Sequence, residues 1–127
     1  MQINDVTNEI IGAAIEVHRA LGPGLLESAY AACLDIEFRS RGLVFERENR
    51  LAIRYRDQLI ENAYRLDFLV AGSVVVEVKS VEEITAVHEA QVISYLKLSG
   101  CPVGLLVNFN KRTLAEGIRR FANGLAG

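Results

Sequence analysis

A chain of 127 residues with 14 basic and 16 acidic side chains, half of it hydrophobic, is expected to be one soluble domain able to bury a core without staples. Its formal net charge of −2 excludes a molecule that is basic overall, so any contact with a polyanion must rest on a local patch. No apolar run is long enough to span a bilayer, so no membrane partner is expected.

The opening MQINDVTNEI has no basic segment ahead of an apolar one, which argues against a secretion signal. Cys33 and Cys101 lack metal-ligand spacing and read as two buried free thiols in a reducing cytoplasm, with a disulfide between them as the alternative.

Residues 5–21 carry Ile10, Ile11, Ala14, Ile15, His18 and Leu21 at helical spacing, and Gly22-Pro23-Gly24 ends the pattern. A second helix is expected from Leu25 to about Arg41. Three extended segments follow at 43–56, 59–70 and 74–79, divided by turn signals at Arg56-Asp57-Gln58 and Ala71-Gly72-Ser73. The first carries Glu46, Arg47, Glu48, Asn49 and Arg50 in succession, so it is expected to bend or bulge. A third helix is predicted from Thr85 to Leu98, a buried strand at 103–109 and a short helix from Thr113 to Ala122. The order α-α-β-β-β-α-β-α defines an α+β fold around a mixed sheet, with residues 1–127 as a single domain.

The chemistry concentrates in residues 65–80, RLDFLVAGSVVVEVKS. A hairpin centred on Gly72 sets Asp67 opposite Glu77. Alternation puts Asp67, Leu69, Val75, Glu77 and Lys79 on one face, and Leu66, Phe68, Val70, Val74, Val76 and Val78 on the other. Opposed side chains lie about 4.5–5.5 Å apart at Cβ, and like charges there destabilise the pair. Two facing carboxylates therefore call for a cation. Oxygen ligands suit Mg²⁺ or Mn²⁺, and Lys79 on the same face could hold a nucleophilic water. Such a set suits metal-assisted phosphodiester hydrolysis. A solvated acidic pair neutralised by Lys79 and Arg65 would give the same pattern.

Asp67 followed by Glu77-Val78-Lys79 resembles the D…(D/E)xK signature of the PD-(D/E)XK nuclease superfamily. Gly24-Leu25-Leu26-Glu27-Ser28-Ala29-Tyr30, with IIGAAIEVHRALGPG, YRLDFLV, VVVEVKS, HEAQVISYLKLSG and GLLVNF in order, is similar to its GxxExxY family. The proline of the superfamily name is replaced by Leu66. The resemblance implies a restriction-endonuclease-like core that hydrolyses nucleic acid, DNA ahead of RNA, with Mg²⁺ or Mn²⁺. It implies metal ligation by Asp67, Glu77, the Val78 carbonyl and Glu27, water activation by Lys79, and a site role for Gln91, which precedes Tyr95 by one turn. A homodimer fits so small a nuclease fold. The alternative is a nuclease fold that binds nucleic acid or a protein without cutting.

Other readings compete at several positions. In a helix's first turn, Glu27 also gains from the helix dipole, by about 0.3–1 kcal/mol. His88, Gln91 and Tyr95 share one helix face, either toward the site or toward solvent. His18 reads as a packed histidine bonded to a neighbour, and two isolated histidines do not make a zinc site. Arg47, Arg50, Arg54, Arg56 and Arg65 fall on the first two strands. With Glu46, Glu48 and Glu61 interleaved, they read as solvated, paired charges, as do Lys111, Arg112, Arg119 and Arg120 near the C-terminus.

Overall fold

The computed structural model describes residues 1–123. Helix α1, Ile3–Leu21, buries Val6, Ile10, Ala13, Ala14 and Val17 along one stripe. It ends at Gly22, whose φ of 70° only glycine adopts without strain and whose N–H returns to the His18 carbonyl. Helix α2, Glu27–Ser40, buries Tyr30, Leu34 and Phe38 at four-residue intervals. Strands β1 (Phe45–Tyr55), β2 (Gln58–Val70) and β3 (Val74–Lys79) form an antiparallel meander. Helix α3, Ala86–Ser99, then crosses to β4, Val103–Asn108, parallel to β3. The five-stranded mixed sheet has the order β1-β2-β3-β4-β5.

Two apolar clusters sandwich the sheet. The larger joins α1 and α2 to Phe68, Val70, Val74, Val76, Val78, Leu105 and Val107. The smaller lies under α3 and joins Leu96 to Val75, Leu66 and Cys101, with Leu51, Tyr64, Leu69, Tyr95 and Phe121 against it. Helix α3 lies so near the sheet that a Cβ on Gly104 would sit 2.9 Å from Val92 Cγ1. No described helix is long and apolar enough to cross a membrane. Cys33 and Cys101 are both free thiols.

Two expectations need correction. Leu66 belongs to the cluster under α3 and not to the Phe68 face. The β1–β2 ladder skips Glu48 and Asp67, where Glu48 has a φ of 57°, and its register shifts between Leu51 and Ile53. The charged first strand is thus irregular, in keeping with the bend or bulge expected of it.

The segment 113–122 is not a helix. A 3-10 turn, Leu114–Gly117, leads into strand β5, Ile118–Ala122, antiparallel to β4. At Gly117 the backbone passes so close to β4 that a Cβ would lie 1.9 Å from the Asn108 carbonyl oxygen. Ile118 and Phe121 then reach opposite apolar clusters, which strand alternation allows.

Candidate active site

The β2–β3 hairpin has the anticipated register, Phe68 opposite Val76, Leu69 opposite Val75 and Val70 opposite Val74. At the next pair the side chains take over from the backbone. The Asp67 N–H donates to Glu77 Oε2 at 2.8 Å, and the Val78 N–H donates to Asp67 Oδ2 at 2.8 Å. Two acidic side chains thus replace carbonyl acceptors where β2 and β3 part, each satisfying the other strand's backbone.

The cost of this arrangement is electrostatic. Glu77 is 3% exposed. Burial, and then the Asp67 carboxylate, pushes its carboxyl up to about 8, against backbone hydrogen bonding and the Lys79 and Arg65 charges. Asp67 is raised as well, chiefly by burial and by Glu27, while the Val78 N–H, Lys79 and Arg65 pull it down. Tyr95 responds to the same pair: burial, then Glu77 and Asp67, raises its phenol.

A cavity of about 260 Å³ opens beside the carboxylates, lined by Glu27, Ser28 and Ala31 of α2, Arg47 and Glu48 of β1, Arg65 and Asp67 of β2, and Val78. It brings together three of the four anticipated metal ligands: Glu27, Asp67 and Val78. The fourth, Glu77, is not among the lining residues; its buried carboxyl accepts from the Asp67 N–H. On the neighbouring sheet position the Lys79 ammonium donates to Gln91 Oε1 at 3.4 Å, so β3 and α3 supply a linked pair.

His88 does not join the site. Its backbone N–H donates to Thr85 Oγ1 and its Nδ1 accepts from the Thr85 N–H, so it caps α3. His18 is the packed histidine anticipated, with Nε2 2.8 Å from the Lys111 carbonyl oxygen and its ring stacked on Phe109. The sequence reading missed Glu48, Arg47 and Ser28 as lining residues. The one available signal was the dense charge run on a strand expected to bend.

Glu27 reaches the cavity because the loop before it is tied down. The Tyr30 hydroxyl donates to the Gly22 carbonyl at 2.5 Å and accepts from the Leu25 N–H at 3.1 Å, while its ring stacks on Phe109 at 4.4 Å. Gly24 turns the chain with a φ of 99°, and Ser80 Oγ donates to the Leu25 carbonyl from the end of β3. Tyr30→Phe keeps the stack and removes both loop bonds. It is expected to lower stability by about 1–3 kcal/mol in a denaturant melt.

The donor set fits a hard divalent cation. The desolvated Asp67 and Glu77 carboxyl groups are each bonded into the other's strand, Glu27 and Val78 line the same cavity as Asp67, and Mg²⁺ needs only one or two carboxylates when waters and phosphates complete its shell. Among the described residues, no three His, Cys, Asp or Glu side chains converge to form a complete protein cage.

A meander followed by a crossover helix and a parallel strand, with acidic residues where the first strands part and a lysine two residues on, defines a nuclease-type core. The family model of the PD-(D/E)XK nuclease superfamily matches residues 4–121, and the chain belongs to that superfamily. No curated protein and no solved structure gives a significant match.

Proposed function

We propose that the chain is a nuclease that hydrolyses nucleic-acid phosphodiesters with Mg²⁺ or Mn²⁺, and that it represents the GxxExxY branch of its superfamily. The observation that carries this reading is the mutually bonded Asp67–Glu77 pair, kept at high electrostatic cost beside an open cavity. Asp67 and Glu77 would hold the cation, with Glu27 and the Val78 carbonyl beside them. Bound there, the cation would polarise the scissile phosphate and acidify a water. Lys79 orients the attacking water and offsets charge as it builds on phosphate oxygens, and Gln91 holds the Lys79 ammonium in place.

Calorimetric titration with Mg²⁺ and Mn²⁺ tests the reading. Wild type is expected to bind, and Asp67→Asn and Glu77→Gln each to abolish binding, with cleavage of DNA or RNA following the same pattern. A wild type that takes up neither metal, even with an oligonucleotide supplying phosphates, would overturn it.

A further inference from the structure

Strands β1 and β2 run on well past the sheet. Their ladder extends from Phe45–Val70 to Tyr55–Gln58, whereas β2 pairs with β3 only at Phe68–Val70. At about 3.3 Å per residue, the stretch from Asn49 to Tyr55 projects roughly 20 Å as a two-stranded ribbon. Its base is anchored under α3, where Leu51 and Tyr64 pack and Tyr64 stacks on Tyr95 at 5.0 Å. Its outer half is exposed, including Tyr55, Leu59 and Ile60.

Burial alternates along β1, with Asn49, Leu51 and Ile53 half-buried and Arg50, Ala52 and Arg54 exposed. Arg50 pairs across the ladder with Arg65, and Arg65 lines the candidate site. Like charges directly opposed destabilise a sheet unless an anion lies between them. The expectation that these arginines are ion-paired holds only near the sheet: Arg65 meets Glu48 at 3.6 Å and Arg47 meets Asp35 at 3.5 Å. Arg50, Arg54 and Arg56 form no ion pair among the described residues. Arg56 lies over the Tyr55 ring at 5.6 Å. Beyond the Arg65–Glu48 pair, three ribbon arginines, Arg50, Arg54 and Arg56, stand against Asp57 and Glu61, although the whole chain is acidic.

We propose that the Arg50, Arg54 and Arg65 face of this ribbon grips the sugar–phosphate backbone of a nucleic acid and leads it to the cavity at Asp67. The proposal rests on the nuclease reading for what happens at Asp67, and on the unpaired Arg50 and Arg54 for the grip. Two strands joined by a tight turn are a shape that a duplex groove admits, and guanidinium groups suit phosphate oxygens. The grip is independent of base sequence, because phosphates carry none.

The test is fluorescence anisotropy with a labelled DNA duplex and its single strand, in EDTA, across a salt series. The variants are the double substitution Arg50→Gln/Arg54→Gln and a control, Arg19→Gln/Arg39→Gln, which removes the same charge from the helices. The ribbon variant is expected to bind about tenfold more weakly, with a salt slope lower by roughly 0.9 per arginine on duplex or 0.7 on single strand, and the control to match wild type. Unchanged affinity and slope in the ribbon variant, or an equal loss in the control, overturns the inference. Ribbon-dependent binding without cleavage in Mg²⁺ or Mn²⁺ supports the grip and removes the nuclease reading. Cleavage lost in Asp67→Asn but kept, with wild-type binding, in the ribbon variant does the reverse.

Discussion

Lys79→Met is expected to lower the rate constant for phosphodiester cleavage by about 10²–10⁴, the range typical of losing a positioned proton-transfer or charge-stabilising group. Lys79 ends β3, half-buried, with its ammonium directed to Gln91. Its charge lowers both carboxyl groups against the burial that raises them. Removing it leaves Asp67 and Glu77 in place and takes a cation away from a site that would bind another. Mg²⁺ affinity should therefore stay or rise while turnover collapses. Single-turnover cleavage and metal titration on the same variant separate these effects. A variant within tenfold of wild-type turnover would show that Lys79 only balances charge. Arginine at this position is not expected to restore the rate, because its planar fork cannot take the place of a compact ammonium.

Much of this site could be read from the amino-acid sequence because the elements that carry it are local. Hairpin register follows from loop length, so the pairing of Phe68 with Val76 was fixed once the turn was centred on Gly72. That register ends at Phe68 and Val76 and brings Asp67 and Glu77 to its edge, where their side chains bond the opposite backbone. Other features depend on contacts between distant segments. Nothing near TLAEGIRRFA signals that Gly117 must pass against the Asn108 carbonyl, so a strand there looked like a helix. His88 shares a helix face with Gln91, yet the free N–H of Thr85 captures its ring. Whether an arginine is paired is likewise a property of three dimensions. Arg65 and Arg50 look alike in sequence, but Glu48 reaches only the first.

The second large effect concerns stability and pH. The Glu77 carboxyl, ordinarily near 4.5, lies at about 8 in the folded chain because burial, and then Asp67, disfavours its charge. A group whose folded pKa lies above its unfolded value contributes stability that is complete below about pH 4.5 and is lost as the pH rises through about 8. One pKa unit corresponds to about 1.4 kcal/mol, so Glu77→Gln is expected to stabilise the metal-free protein by on the order of 2–4 kcal/mol at pH 8. Near pH 4.5 the same substitution should change little, since wild-type Glu77 is then neutral in the fold. Glutamine keeps an oxygen for the Asp67 N–H and cannot ionise, so the bond at the strand junction survives while its cost is removed. Thermal melts in EDTA at several pH values measure the difference, expected to be about 5–15 °C at pH 8. Mg²⁺ should narrow this gap from the other side, stabilising wild type increasingly as the pH rises and leaving Glu77→Gln unmoved. Equal melting curves for the two proteins at pH 8 would mean that Glu77 ionises there without penalty. The strain that makes a cation welcome between β2 and β3 would then be missing, and the argument for a metal at this junction with it.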